Sequence, residues 1–92
     1  MYTKGEKLMK TYLVIIRSRA ELMSFIDVAR SYGVAATLSP LPKEAKSGCG
    51  LCASINERDL SKSYKIISYY KYASFYGIYL FDRGRKKIKR VY

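Results

Sequence analysis

From Thr11 to Arg17 the chain reads Thr-Tyr-Leu-Val-Ile-Ile-Arg, a nearly unbroken apolar run rich in β-branched and aromatic residues. Such a run suits a central strand covered on at least one face. The period then changes: Leu22, Phe25, Ile26 and Ala29 recur at helical spacing and predict one apolar helix face through Arg30. Ser18, with Glu21 three residues on, has the capping-box spacing that starts a helix. Gly33 falls where a left-handed C-terminal cap is expected. Val34 to Leu38 predicts a short second strand, stopped by Pro40 and Pro42.

Beyond the loop that follows, Leu51 to Ile55 predicts a third strand. Asn56 is placed to cap a second helix with Asp59 at its third position, and Leu60, Tyr64, Ile67 and Tyr70 or Lys71 continue the helical period to about Ala73. Gly77 to Asp82 predicts a further strand. Turn chemistry at Asp82-Arg83-Gly84-Arg85 then lets Lys86 to Tyr92 fold back as an added edge strand, whose lysines would discourage aggregation through strand pairing. The order β-α-β-β-α-β is that of the α+β, ferredoxin-like split βαβ arrangement, one antiparallel sheet with two helices on one face. A small βαβ-based α/β unit is the alternative. The expected segmentation is an N-terminal extension over 1–10, a single domain over 11–82 and a basic strand or tail over 83–92.

The 92 residues leave room for one domain, and 49% apolar with 27% charged residues is a globular rather than a disordered composition. No apolar run nears the roughly 18 residues a membrane helix needs, and the polar Met1-Tyr2-Thr3-Lys4-Gly5-Glu6-Lys7 lacks a signal-peptide core. A cytoplasmic location is therefore expected, where neighbouring cysteines more often mean metal or chemistry than a structural disulfide. The formal net charge is +11 without any histidine, and Arg83, Arg85, Lys86, Lys87, Lys89 and Arg90 put six positive charges into eight residues. Such a run attracts polyanions through a salt-sensitive, sequence-blind force, or simply keeps a small protein soluble.

The stretch Pro40-Leu41-Pro42-Lys43-Glu44-Ala45-Lys46-Ser47-Gly48-Cys49-Gly50-Leu51-Cys52 holds both prolines, both cysteines and two of the six glycines. The prolines keep it extended. Gly48 and Gly50 flank Cys49 and leave its sulfur little side-chain cover. Lys43 and Lys46 lie just upstream, so an accessible thiol here would sit among cations that favour the nucleophilic thiolate, opposed in part by Glu44. Cys52 is either a resolving thiol or an ordinary buried cysteine of the third strand. Cys49 and Cys52 also make half a zinc site; one chain cannot complete four ligands, whereas a homodimer could pool four thiolates. A thioredoxin-like redox pair would open a helix, but Cys52 enters a strand. A stiff structural turn is the remaining reading, and no resident cofactor is indicated.

These residues carry a resemblance. The strand TYLVIIRS, the helix after it and GVAATLSPLPKEAKSGCG resemble a family of small bacterial proteins described as selenium/sulfur-carrier-protein-like, over roughly Tyr12 to Tyr79. The family's recurring feature is a proline, a basic residue that is usually arginine, a short spacer and Cys-Gly before a strand; Pro42, Lys43, Cys49 and Gly50 fall on it. Lys43 stands where arginine is usual, a point charge in place of a bidentate fork. Cys52 and the basic segment from Arg83 lie outside the pattern. The resemblance implies a carrier rather than a turnover enzyme. Cys49 would take up sulfur or selenium as a persulfide or selenosulfide and pass it to a partner protein, with Pro42, Lys43, Lys46, Gly48 and Gly50 shaping the binding loop.

A different class of function competes. Tyr64, Tyr69, Tyr70, Tyr72, Tyr76 and Tyr79 gather in the last third of a chain with ten tyrosines. Ferredoxin-like sheets can stack single-stranded RNA bases on strand aromatics beside a basic groove, and Tyr79 with the run from Arg83 to Arg90 would be that interface. No RNP-type sequence occurs, however, and most of these tyrosines sit on the second helix and its exit, where packing in the core or against a second subunit explains them. Gly48-x-Gly50 lacks the third glycine of a phosphate loop, and without a histidine base a serine or cysteine triad is excluded.

Overall fold

The computed structural model describes residues 10–45 and 50–92. The elements follow as β1 (Lys10–Ile16), α1 (Arg19–Ser31), β2 (Thr37–Pro40), β3 (Leu51–Ile55), α2 (Leu60–Tyr70), β4 (Phe75–Asp82) and β5 (Lys87–Arg90), with 3-10 turns at Lys43–Ala45 and Glu57–Asp59. The sheet runs β2-β3-β1-β4-β5 and every neighbouring pair is antiparallel. This is the ferredoxin-like α+β arrangement, extended at one edge by β5. The turn before β5 closes as its residues suggest, with Asp82 Oδ1 accepting from the Gly84 and Arg85 N–H groups at 3.1 and 3.3 Å. The expected N-terminal extension lies outside the described residues up to Lys10. No helix among the described residues is long and apolar enough to cross a membrane.

Alternation along β1 decides which layer each side chain joins. Val14 and Ile16 meet Leu22, Phe25, Ile26 and Ala29 of α1, Ile66 and Ile67 of α2, and Ala53, Ile55 and Ile78 of the neighbouring strands in one buried cluster. Leu13 and Ile15 point to the helix-free face, yet they too are buried, in a second cluster with Cys52. The unbroken apolarity of β1 thus reflects cover on both faces.

The start of α1 forms half of the expected capping box. Ser18 Oγ accepts from the Glu21 N–H at 3.3 Å. The Glu21 carboxylate does not reach back; it accepts from the Ala73 and Ser74 N–H groups at 3.2 and 2.8 Å and from the Ser74 hydroxyl. Ser74 Oγ in turn accepts from the Ser18 N–H at 2.9 Å, so the beginning of α1 is fastened to the beginning of β4. At the other end Gly33 takes φ +85°, and its N–H donates to Arg30 O while Val34 N–H donates to Ala29 O, a complete Schellman turn.

Boundaries depart from the sequence pattern in β2, in α2 and in β4, which starts at Phe75 rather than Gly77. β2 begins at Thr37, because Val34 and Ala36 enter the helix-side core as irregular chain directly after the Schellman turn. It ends on Pro40, which an edge strand tolerates. Asn56 makes no side-chain cap bond; the 3-10 turn intervenes, and Asp59 is buried and accepts from the Ala35 N–H at 3.4 Å. α2 stops at Tyr70, where Lys71 adopts a left-handed φ of 52°, and its buried face is Ser63, Ile66 and Ile67. Tyr64 lies off that face and stacks on Tyr92 at 4.2 Å.

Candidate functional site

After Pro40 the chain leaves the edge of the sheet and folds over the helix-free face. Leu41 and Ala45 pack on the cluster of Leu13, Ile15 and Cys52, joined by Tyr76, Tyr79, Phe81 and Ile88. The turn Lys43–Ala45 reaches β5, at the opposite edge from β2. The segment is therefore a strap across the sheet. Leu41 N–H donates to Gly50 O at 3.0 Å, which returns the chain close to where it departed and feeds it into β3.

Gly50 lines a hollow of about 110 Å³ together with Arg17, Arg19, Leu22 and Leu51. Strand register explains the meeting. Leu13 pairs with Ser54 and Val14 with Ala53, so the antiparallel run brings the chain leaving β1 toward the chain entering β3. The Arg17 guanidinium lies 5.2 Å over the ring of Tyr76, which stacks on Tyr79 at 6.1 Å. Arg19 opens α1, whose macrodipole adds positive potential at that end. The carboxylate of this first turn, Glu21, is held below the ordinary carboxyl range, first by the Ser74 hydroxyl and then by the Ser74 and Ala73 amides. Its negative charge is engaged there, and Arg17 and Arg19 are among the residues that line the hollow.

The sequence-derived residues divide. Pro42 is half-buried and Lys43 exposed on the strap, and Gly50 is at the hollow. Lys46, Gly48 and Cys49 lie outside the described residues, Cys49 one residue along the chain from Gly50. Cys52 is 0% exposed, with Sγ 3.9 Å from the Pro40 carbonyl oxygen, the setting of a packed cysteine. Arg83, Arg85 and Lys86 occupy the β4–β5 turn, and Lys87, Lys89 and Arg90 lie on β5, all exposed. They do not share one face. Arg90 pairs with Tyr79 on the strapped side, and Lys89 with Leu80 on the other. Tyr79 belongs to the cluster beneath the strap, so this side is not an open aromatic platform. Among the described residues no three His, Cys, Asp or Glu side chains converge as a metal set.

Arg17 and Arg19 are not singled out by the sequence pattern, since they lie one helix and one strand upstream of the loop. The signal that could have found them is the pair of guanidiniums flanking an N-cap serine, Arg17-Ser18-Arg19. A five-stranded antiparallel sheet backed by two helices defines a small α+β domain of ferredoxin-like order. Residues 11–79 match the family described as Putative Se/S carrier protein-like, and the chain belongs to that family. β5 lies beyond the matched region. No curated protein and no solved structure matches the chain.

Proposed function

We propose that the chain carries sulfur or selenium on Cys49, as a persulfide or selenosulfide, and passes it to a partner protein. The supporting observation is the setting of Gly50, the residue bonded to Cys49. The Leu41 hydrogen bond and the first pair of β3 fix it beside Arg17 and Arg19. Cys49 is bonded to Gly50, and Arg17 and Arg19 are among the residues that line the hollow with Gly50. Cations there favour the thiolate that attacks a donor and the persulfide anion that results. The family's description supports a protein partner. In unloading, an acceptor thiolate attacks the outer sulfur, the persulfide bond breaks and Cys49 leaves as thiolate. Cys52 packs the sheet in this reading and takes no part in transfer, and the protein is a carrier rather than a turnover catalyst.

Incubated with a cysteine desulfurase and cysteine, the full chain should gain one sulfur in intact mass, removable by a thiol reductant, and Cys49→Ser should not. Loading that persists in Cys49→Ser overturns the proposal.

A further inference from the structure

We infer that the edge where α2 meets β5 binds single-stranded nucleic acid, with a base stacked on the Tyr64–Tyr92 pair and phosphates met by Lys87 and Lys89. The inference stands apart from the carrier reading and uses none of its residues.

Strand register sorts the cations of β5 between the two faces of the sheet. Paired residues of antiparallel neighbours point to the same face. Ile78 is buried in the helix-side core, so Leu80 and Asp82 share its side, and with them go their partners Lys89 and Lys87. Both lysines are exposed there. Beyond Arg90 the alternation breaks. The Val91 and Tyr92 N–H groups both donate to the Ile78 carbonyl oxygen, at 2.8 and 3.2 Å, which is the doubled bond of a β-bulge. A regular strand would send Tyr92 to the strapped side with Arg90. The bulge brings it instead to the helix side, where it stacks on Tyr64 at 4.2 Å with the ring planes 18° apart. Two lysines and a tyrosine pair thus share one side of one edge.

Tyr64 is 39% and Tyr92 41% exposed, so ring surface remains open beside the stack. Each ring restrains the other, which lowers the side-chain freedom lost when a base arrives. The carboxylate among these cations is Asp82, which pairs with Lys87 and is already bonded to the Gly84 and Arg85 amides. A second copy of this chain, at net charge +11, would meet like charge on this edge. A polyanion carrying flat rings complements both the lysines and the tyrosines. Its strand must be single, because a duplex keeps its base faces stacked inside. β5 lies beyond the residues that match the family, so this edge is an addition to the family fold.

The test is fluorescence anisotropy of the full chain with a labelled oligothymidylate, an abasic strand of the same length and charge, and a duplex. The oligothymidylate should bind more tightly than the abasic strand, with affinity falling linearly with salt on logarithmic axes. Tyr92→Leu should weaken oligothymidylate binding about tenfold and leave the abasic strand nearly unchanged, as the loss of one stacked base requires. Replacing both exposed lysines, Lys87→Gln with Lys89→Gln, should weaken both strands and flatten the salt slope by about 0.7 per lysine. Absence of binding at low salt, equal affinity for the oligothymidylate and abasic strands, preference for the duplex, or an unmoved salt slope overturns the inference. So does self-association of the free protein that Tyr92→Leu abolishes, which would make the edge a contact between copies. The strand comparison in the unaltered chain needs no variant, and sulfur loading on Cys49 is read separately.

Discussion

Replacing Cys52 tests whether it is a packing residue under the strap. Its side chain is completely buried with Leu13, Ile15, Leu41 and Ala45. Cys52→Ala removes one sulfur, comparable to a methylene, at about 0.8 kcal/mol of lost transfer energy. The residual void adds a few tenths, for a total of about 1–1.5 kcal/mol. Cys52→Ser keeps more volume but buries a hydroxyl. The Pro40 carbonyl is 3.9 Å from Sγ, within reach of sulfur but beyond the roughly 2.5–3.0 Å that a hydroxyl requires. That mismatch adds about 1–3 kcal/mol. Serine should therefore be worse than alanine. In a chain of 92 residues, each kcal/mol moves Tm by about 4–8 °C. Alanine should lower Tm by about 4–12 °C and serine by more, followed by far-UV circular dichroism with tyrosine emission as a second probe. The alanine variant should still load sulfur on Cys49. An unchanged melt for alanine, serine as stable as alanine, or loss of loading would refute the packing argument.

Two further predictions concern the frame of the site. Gly77 has φ +154°, and a Cβ there would lie 2.9 Å from Tyr79 Cε1 and 3.1 Å from Arg90 Nε, so Gly77→Ala should cost about 1–3 kcal/mol in urea unfolding. An unmoved midpoint at unchanged slope contradicts this. Glu21 has a depressed pKa in the folded state, so its contribution is present above the ordinary value of 4.5 and is lost as pH falls below it. The urea midpoint should therefore drop less steeply below pH 4.5 in Glu21→Gln than in the unaltered chain, and parallel acid limbs would count against it.

Where local rules act alone, the sequence was readable. The Ser18 cap, the buried face of α1, the Gly33 turn, β3 and the β4–β5 hairpin all depend on near neighbours. The capping box was half right because the Glu21 carboxylate found Ser74, a residue brought close only by the fold. The face of α2 was misjudged because tyrosines serve as core or surface alike; Ser63 took the interior and Tyr64 paired with Tyr92. The strap was invisible for a similar reason. Leu41 and Ala45 show no periodicity, and only the double-sided apolarity of β1 hinted that something covers the second face. The loop cysteine and its glycines stood out by composition, whereas Arg17 and Arg19 line the hollow with Gly50 because β1 pairs with β3, a pairing that a single sequence does not display.

The strap also bears on how the molecule comes into being. β1 is made early, yet it lies between β3 and β4, both made later, and the turn at Lys43–Ala45 rests against β5, later still. A chain emerging N-terminus first has already synthesised Lys43–Ala45 before it owns the edge strand that anchors the strap. Pairings this distant in sequence form slowly and together. The strap is thus fastened across the sheet only once the fold is nearly complete.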